Sequence, residues 1–98
     1  MANVWTHGTW VVKPGREDAF VEAWTRLARS AIERFEAGRP FLLRDRERPN
    51  VFETLGSWPS VDVVEEFRAS DLFRDGVAET RPLLESFEPV TLDEIEWT

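Results

Sequence analysis

The sequence predicts an α+β fold with the element order β-α-β-β-α-β, the split βαβ pattern, in which the strands form an antiparallel sheet. Three observations indicate this order: a strand-like segment near the N-terminus, a long amphipathic helix after it, and two strand-like segments joined by a proline-containing turn. A second helical region and a last strand complete it. A chain of 98 residues is long enough for one domain, residues 1–98, and too short for a second core.

The first predicted strand, NVWTHGTWVV, ends at the turn residues Pro14 and Gly15. Large apolar side chains alternate onto both of its faces, with Trp5 on one and Trp10 on the other. A strand with only one covered face is normally polar on the other face. Both faces should therefore be covered. We expect the helices to cover one face, and the face that carries Trp10 to be the open one that needs a partner.

The segment REDAFVEAWTRLARSAIERFEAG is the strongest predicted helix. Its apolar residues recur at helical spacing and form one stripe, which we interpret as core: Phe20, Trp24, Leu27, Ala28, Ala31, Ile32 and Phe35. Gly38 is expected to end this helix, because glycine adopts the left-handed conformation of a helix C-terminus without steric cost.

Two strands, PFLLRDRE and VFETLGSW, are predicted to form a hairpin around RPN, where Pro49 and Asn50 favour a turn. The arginines before the turn alternate with acidic residues. We therefore interpret them as a solvated hairpin tip rather than an anion site: Arg44, Arg46 and Arg48.

The second helical region contains FRASDLFRDG, in which Phe67 and Phe73 lie six residues apart. On one continuous helix they would point about 120° apart. Ser60 and Ser70 are preferred N-cap residue types, so we predict two short helices, the second restarting at Ser70, with both phenylalanines directed inward. Pro82 is expected to bend or end the second helix.

The segment SFEPVTLDEIEWT is predicted to be the last strand, and Pro89 favours a position at the sheet edge or the start of the strand. A sheet of this pattern buries one face under its two helices. A monomer of this size buries only a modest fraction of its surface. We therefore expect a homodimer formed through the open sheet faces.

Composition excludes several classes of protein. There is no cysteine, which rules out disulfides, Fe–S ligation, thiolate zinc and a cysteine nucleophile, and fits a cytoplasmic location. The net charge is −7, and residues 62–98 carry eleven acidic and three basic residues. Nucleic acid is therefore an unexpected partner. No membrane-spanning apolar run or secretory signal is recognisable, so we expect no membrane partner.

Several segments together resemble the antibiotic biosynthesis monooxygenase (ABM) family of dimeric α/β barrels: VKPGREDAFVEAW, SWPS with Trp58 and Ser60, FRASDLFR, and LLESFEPVTL. The resemblance covers residues 4 to 97. It implies a ferredoxin-like protomer that dimerises sheet to sheet, with a pocket between the sheet and the helices. Members of this family include cofactor-free monooxygenases that oxidise polycyclic phenols to quinones, enzymes that act on quinols, and a branch that binds and degrades haem.

The sequence departs from the haem-degrading branch. That branch carries an axial histidine one turn after the SD-x-F stretch, where this chain has Val77. The only histidine, His7, lies in the first strand. Without an imidazole or thiolate nearby to bind iron, we expect no haem, no other cofactor and no metal site.

The resemblance also implies a polar residue in the first strand and a tryptophan at the end of the third, positions at which His7 and Trp58 stand. His7 would act as a general base toward an acidic phenol, and Trp58 would stack on a flat substrate. The remaining candidates are apolar walls and a cation that would stabilise an enolate if it turns inward: Trp5, Trp24, Phe52, Phe67, Phe73, and Arg68 or Arg74.

Two functions follow as hypotheses. The first is a cofactor-independent monooxygenase that oxidises a small hydroxy-aromatic, quinol or anthrone-type substrate with dioxygen. The second is a non-catalytic dimeric module that binds a small hydrophobic ligand. In the second, His7 is an ordinary strand histidine, Trp58 belongs to the core, and both arginines face solvent.

Overall fold

A computed structural model describes residues 3–98 and confirms the predicted order of elements. The elements are β1 Val4–Val12, α1 Glu17–Phe35, β2 Phe41–Arg44, β3 Val51–Trp58, α2 Val61–Arg68, α3 Asp71–Thr80, the 3₁₀ turn Arg81–Leu83 and β4 Leu84–Asp93. The strands form one four-stranded antiparallel sheet in the order β2-β3-β1-β4. This is the ferredoxin-like arrangement, with the helices packed on one face of the sheet.

The helices cover the face of β1 that carries Trp10, so the expectation that Trp10 lies on the open face is wrong. Trp10 is buried and packs against Phe20 of α1, with ring centroids 5.2 Å apart. Alternation along the strand then directs His7 and Thr9 to the other face, which no helix covers. Strand periodicity separates two faces but does not say which one the helices bury. Here the helices bury the face of β1 that carries Thr6, Gly8 and Trp10.

The two helices after β3 are capped as predicted. The Ser60 hydroxyl accepts a hydrogen bond from the backbone N–H of Val63, and the Ser70 hydroxyl accepts one from the N–H of Phe73 at 3.2 Å. Because the chain restarts at Ser70, Phe67 and Phe73 meet edge to face, with centroids 5.1 Å apart. Both phenylalanines therefore point into one interior.

Helix α1 ends differently from the prediction. Its left-handed C-terminal residue is Glu36, with φ of 55°, and not Gly38. Gly38 instead donates its N–H to the carbonyl of Ser57 at 2.9 Å. A Cβ at position 38 would lie 2.2 Å from the Ser57 hydroxyl oxygen. Glycine at this position therefore permits the chain leaving α1 to approach β3 closely.

The interior on the helix side consists of two separate clusters of buried residues. The first contains Trp10, Val12, Phe20, Phe52 and Leu83, and the second contains Ala31, Trp58, Val64 and Phe67. Between them, the middle of the two central strands carries small residues. The predicted apolar stripe of α1 contributes to both clusters, although Ile32 at its end is exposed.

Strand β4 lies at a sheet edge, as Pro89 indicated, but it ends at Asp93, before the predicted end of the strand. Beyond it, Ile95 and Trp97 are exposed. No helix within residues 3–98 is long and apolar enough to cross a membrane.

Candidate functional site

A cavity of about 320 Å³ lies between the helix-covered face of the sheet and the three helices. Its size is in the range of small-molecule pockets. The side chains and backbone that line it come from β1, α1, the segment after α1, β3, α2, α3 and β4: Thr6, His7, Gly8, Trp10, Trp24, Leu27, Ala28, Ala31, Ala37, Gly38, Pro40, Thr54, Leu55, Gly56, Ser57, Trp58, Val64, Phe67, Arg68, Phe73, Phe87 and Pro89.

The floor of the cavity is built from one short pattern that occurs twice. Residues 6–10 read THGTW and residues 54–58 read TLGSW, so both central strands carry T-x-G-x-W. The antiparallel register places Thr6 opposite Gly56 and Gly8 opposite Thr54. Two hydroxyls and two glycines therefore alternate across the floor. The repeat is visible in the sequence, but the individual strand predictions did not reveal it.

Each tryptophan of the repeat is tied to the threonine of the other strand. The Trp10 indole N–H donates to the Thr54 hydroxyl at 3.0 Å, and the Trp58 indole N–H donates to the Thr6 hydroxyl at 2.9 Å. Both indoles are buried. These cross-strand hydrogen bonds satisfy the buried N–H groups and hold the two rings at opposite ends of the floor.

Gly8 and Gly56 have neighbouring side chains close to the positions where a Cβ atom would lie. A Cβ on Gly8 would lie 2.9 Å from a ring carbon of Phe87 and 3.0 Å from the Thr54 hydroxyl oxygen. A Cβ on Gly56 would lie 3.3 Å from the side chain of Pro40. Glycine at these two strand positions therefore lets Phe87, Trp10 and Pro40 pack directly against the strand backbone beside the cavity.

The cavity brings together four of the predicted aromatic site residues: Trp24, Trp58, Phe67 and Phe73. Phe67 links them, since its ring lies 4.9 Å from that of Trp58 and 5.1 Å from that of Phe73, measured between centroids. The aromatic wall expected from the sequence is therefore present, although its contact with a ligand stays a prediction.

The other predicted wall residues lie elsewhere. Phe52 is almost fully buried in the first core cluster, and Trp5 lies on the open face with its indole N–H donating to Glu94 at 2.7 Å. Arg74 is exposed and pairs with Asp71 at 3.0 Å, away from the cavity lining.

His7 borders the cavity, but its side chain lies on the opposite, open face. The Nε2 atom is 3.0 Å from the Glu53 carboxylate, which also accepts a 2.7 Å hydrogen bond from the Thr9 hydroxyl. His7, Thr9 and Glu53 therefore form a polar cluster on that face. The catalytic role that the resemblance implied for His7 stays a prediction, and these contacts favour a role on the open face.

Arg68 is the one arginine or lysine among the described residues that line the cavity, and it is an exposed residue. It lines the cavity from the end of α2, and within residues 3–98 it forms no ion pair with a carboxylate. An unpaired guanidinium beside an apolar space favours an anionic group on a ligand. Within the same described range, no cluster of His, Cys, Asp or Glu side chains is arranged to hold a metal ion.

The fold and the cavity define an α+β domain of the ferredoxin-like type with an aromatic-walled cavity. The chain belongs to the antibiotic biosynthesis monooxygenase family, whose sequence model matches residues 4–79.

Solved structures share this fold. A provisionally assigned antibiotic biosynthesis monooxygenase from Caulobacter crescentus is 20% identical with a TM-score of 0.88, over 97% of this chain and 92% of that one. A provisionally assigned member from Nitrosomonas europaea is 15% identical with a TM-score of 0.86, over 98% and 93%. A conserved protein from Methanosarcina mazei is 16% identical with a TM-score of 0.87, over 97% and 95%. No curated protein matches the chain in sequence.

Proposed function

We propose that this chain is a cofactor-independent monooxygenase that oxidises a small hydroxy-aromatic, quinol or anthrone-type substrate with dioxygen. The observation that carries the proposal is the cavity of about 320 Å³ with its wall of Trp24, Trp58, Phe67 and Phe73. Flat aromatic surfaces of this kind stack on flat substrates and exclude water from them. Membership of the monooxygenase family supports the same chemistry.

The reaction requires only a substrate anion and dioxygen. For an anthrone-type substrate, loss of one proton from the ring CH₂ gives a carbanion that is delocalised as a phenolate. The carbanion donates electrons to dioxygen and a C–O bond forms, giving a hydroperoxide after protonation. Loss of the second C–H proton and cleavage of the O–O bond then release water and leave a carbonyl. One oxygen atom enters the product and the other leaves as water.

The residues of the cavity would favour the anionic substrate. We propose that the guanidinium of Arg68, a lining residue, turns toward the cavity, where it would stabilise a phenolate relative to the neutral phenol. The deprotonated substrate is the species that reacts with dioxygen, so this preference would accelerate the reaction. Two sources of the anion remain open as proposals. Either His7 acts as the base, or the substrate binds as an anion already formed in solution, which the position of the His7 imidazole favours.

Oxygen consumption with a panel of anthrones, naphthols and quinols tests the proposal. We expect uptake by the wild type, and a decrease of about ten- to a hundredfold in Arg68→Gln because one electrostatic contact to the anion is lost. Arg74→Gln is the matched control, since this arginine pairs with Asp71 outside the lining. Equal losses in both variants would contradict the role of Arg68.

His7→Ala separates the two sources of the anion. If the imidazole is the base, uptake falls at neutral pH and recovers as rising pH ionises the substrate in solution. Unchanged uptake would leave the preformed anion as the reactive species. In either case the variant must keep its fold, which far-UV circular dichroism checks.

The second candidate function is a non-catalytic module that binds a small hydrophobic ligand. It is favoured by the position of His7, since a base inside the cavity is not among the side chains described. Binding of panel compounds without oxygen uptake would support this function and contradict the oxygenase.

We also propose that the open sheet face forms a homodimer interface. Large apolar side chains on β2 and β4 are about half exposed there: Phe41 at 55%, Leu43 at 54%, Val90 at 46% and Leu92 at 45%. The register sets them around the polar cluster of His7, Thr9 and Glu53. Several exposed apolar side chains grouped on one face in this way are typical of a protein interface. A second copy would cover it symmetrically.

A further inference from the structure

We infer that Thr6 and Thr54 form a two-point hydrogen-bond donor site on the cavity floor, which selects flat aromatic ligands that carry an acceptor oxygen, carbonyl or phenolate, at each of two ring positions. This inference rests on the proposed function in taking the cavity to be the substrate site. It goes further in naming the residues and the ligand groups that determine specificity.

The hydroxyl protons of Thr6 and Thr54 have no protein acceptor within residues 3–98, in contrast to those of Thr9, Thr25 and Thr80. Thr9 donates to the Glu53 carboxylate, Thr25 to the carbonyl of Val21, and Thr80 to the carbonyl of Val77. Thr6 and Thr54 take part only as acceptors, from the indoles of Trp58 and Trp10. Their protons are therefore available to a ligand.

The indoles orient the hydroxyls for this role. A threonine hydroxyl has one proton to donate and two lone pairs. With one lone pair held by an indole N–H, the proton is restricted to the remaining directions, and the buried tryptophan cannot leave without losing its own partner. The site is thus set in advance, which lowers the ordering cost of binding.

The spacing suits a ring that lies across the floor. Thr6 faces Gly56 and Thr54 faces Gly8, so the threonines are diagonal neighbours on adjacent antiparallel strands. Such Cα atoms are about 7–8 Å apart. Both remaining corners are glycines, so the strands themselves place no side chain between the hydroxyls. The Trp10 indole and the Phe87 ring lie over Gly8, and Pro40 lies over Gly56. A flat ring with oxygens on opposite sides would reach one hydroxyl with each oxygen.

The apolar surroundings make these two donors decisive for affinity. A hydrocarbon ring would displace water from the hydroxyls and offer no acceptor, leaving two buried donors without partners. A ring with carbonyl oxygens would restore both hydrogen bonds. We expect each hydroxyl to improve the affinity for such a ligand by roughly five- to tenfold.

The experiment compares the binding of 1,4-naphthoquinone and naphthalene to the intact chain without oxygen, measured by quenching of tryptophan fluorescence. The chain has no cysteine with which the quinone would react. The variants are Thr6→Val and Thr54→Val, which remove the hydroxyl at nearly constant volume, and Thr6→Ser and Thr54→Ser, which keep it.

We expect the wild type to bind the quinone at least tenfold more tightly than the hydrocarbon. Each valine variant should lose roughly five- to tenfold for the quinone and nothing for naphthalene, and each serine variant should retain the preference. Unchanged naphthalene affinity shows that a valine variant still folds. Equal affinity of the wild type for both compounds, undiminished quinone binding in the valine variants, or no binding of either compound would overturn the inference.

Because binding without oxygen involves no turnover, this test does not depend on the oxygenase. If the panel shows no oxygen uptake while the quinone preference holds, the donor site stands and the chain is a binding module. If uptake is observed and the valine variants keep the preference, the oxygenase stands and the donor site does not.

Discussion

The two faces of the central strands differ in the hydrogen bonds that their polar side chains form. On the helix-covered face, the indole N–H groups of Trp10 and Trp58 are each satisfied by a threonine hydroxyl on the neighbouring strand, and a cavity lies above the sheet. On the open face, His7 and Thr9 converge on the Glu53 carboxylate among half-exposed apolar side chains. Consecutive residues of β1 thus serve two unlike environments.

The difference indicates which kind of partner, a small molecule or a protein surface, each face could bind. The covered face lacks side-chain volume at its centre, so it has room for a small molecule. The open face has large, exposed apolar side chains on its edge strands. Within residues 3–98 it therefore offers apolar surface that another protein surface could bury, rather than a cavity to occupy. A ligand would complete the first face, and a second protein surface would complete the second.

The largest effect on this comparison is expected from truncating one phenylalanine on each face. Phe52 is 2% exposed on the covered face, and Phe41 is 55% exposed on the open face. Phe52→Ala should lower the free energy of unfolding by about 3–5 kcal/mol, because a fully packed ring leaves a cavity. Phe41→Ala should cost much less at low protein concentration. Urea unfolding measures both, and equal losses would show that the open face is already packed.

Charge on the open face should change the oligomeric state. Leu92→Lys places an ammonium group among the apolar side chains proposed to meet a second copy, where it would be desolvated without a partner. We expect sedimentation equilibrium to show a dimer for the wild type and a monomer for this variant. Ile32→Lys, at a position of α1 that is 39% exposed and lies away from the open sheet face, is the control and should remain dimeric. A monomeric wild type would refute the interface.

A methyl group on the cavity floor should have an intermediate effect. The Cβ of Gly8→Ala would lie 2.9 Å from Phe87 and from the Trp10 indole nitrogen. We expect a loss of about 1–3 kcal/mol in stability from overpacking, together with weaker ligand binding. Gly56→Ala approaches only Pro40, at 3.3 Å, and should cost less. If the order is reversed in thermal unfolding, Gly8 does not limit the space of the floor.

The smallest effect concerns the hairpin tip that joins the strands carrying Phe41 and Phe52. The backbone N–H groups of Arg48 and Glu47 bond to Asp45 and hold the pKa of its carboxyl below the ordinary value of 3.8. A lowered pKa in the folded state stabilises the protein above pH 3.8, and this contribution is lost as pH falls through the lowered pKa.

Thermal unfolding between pH 7 and pH 2 measures this contribution. Asp45→Asn should remove this small part of the acid dependence. Glu47→Gln, which changes a neighbouring charge, is the control and should retain it. The same acid dependence in the wild type and in Asp45→Asn would contradict the assignment.

Local sequence determined the elements of this protein. The serine caps at positions 60 and 70 fixed where two helices begin, because a side-chain oxygen one residue before a helix satisfies its free N–H groups wherever the helix lies. The same holds for the period of α1 and for the hairpin. These signals act between residues that are close in the chain. The elements they specify can therefore be predicted without the tertiary structure.

The tertiary structure decided which face of the sheet is covered, and with it which residues form the candidate site. Alternation places Trp10 and His7 on opposite faces but leaves both faces equivalent until the helices pack. The floor also depends on strand register, which pairs Thr6 with Gly56 and Gly8 with Thr54, residues that are 50 and 46 positions apart in the chain. The two T-x-G-x-W segments were present in the sequence, and only their antiparallel pairing turned them into one surface.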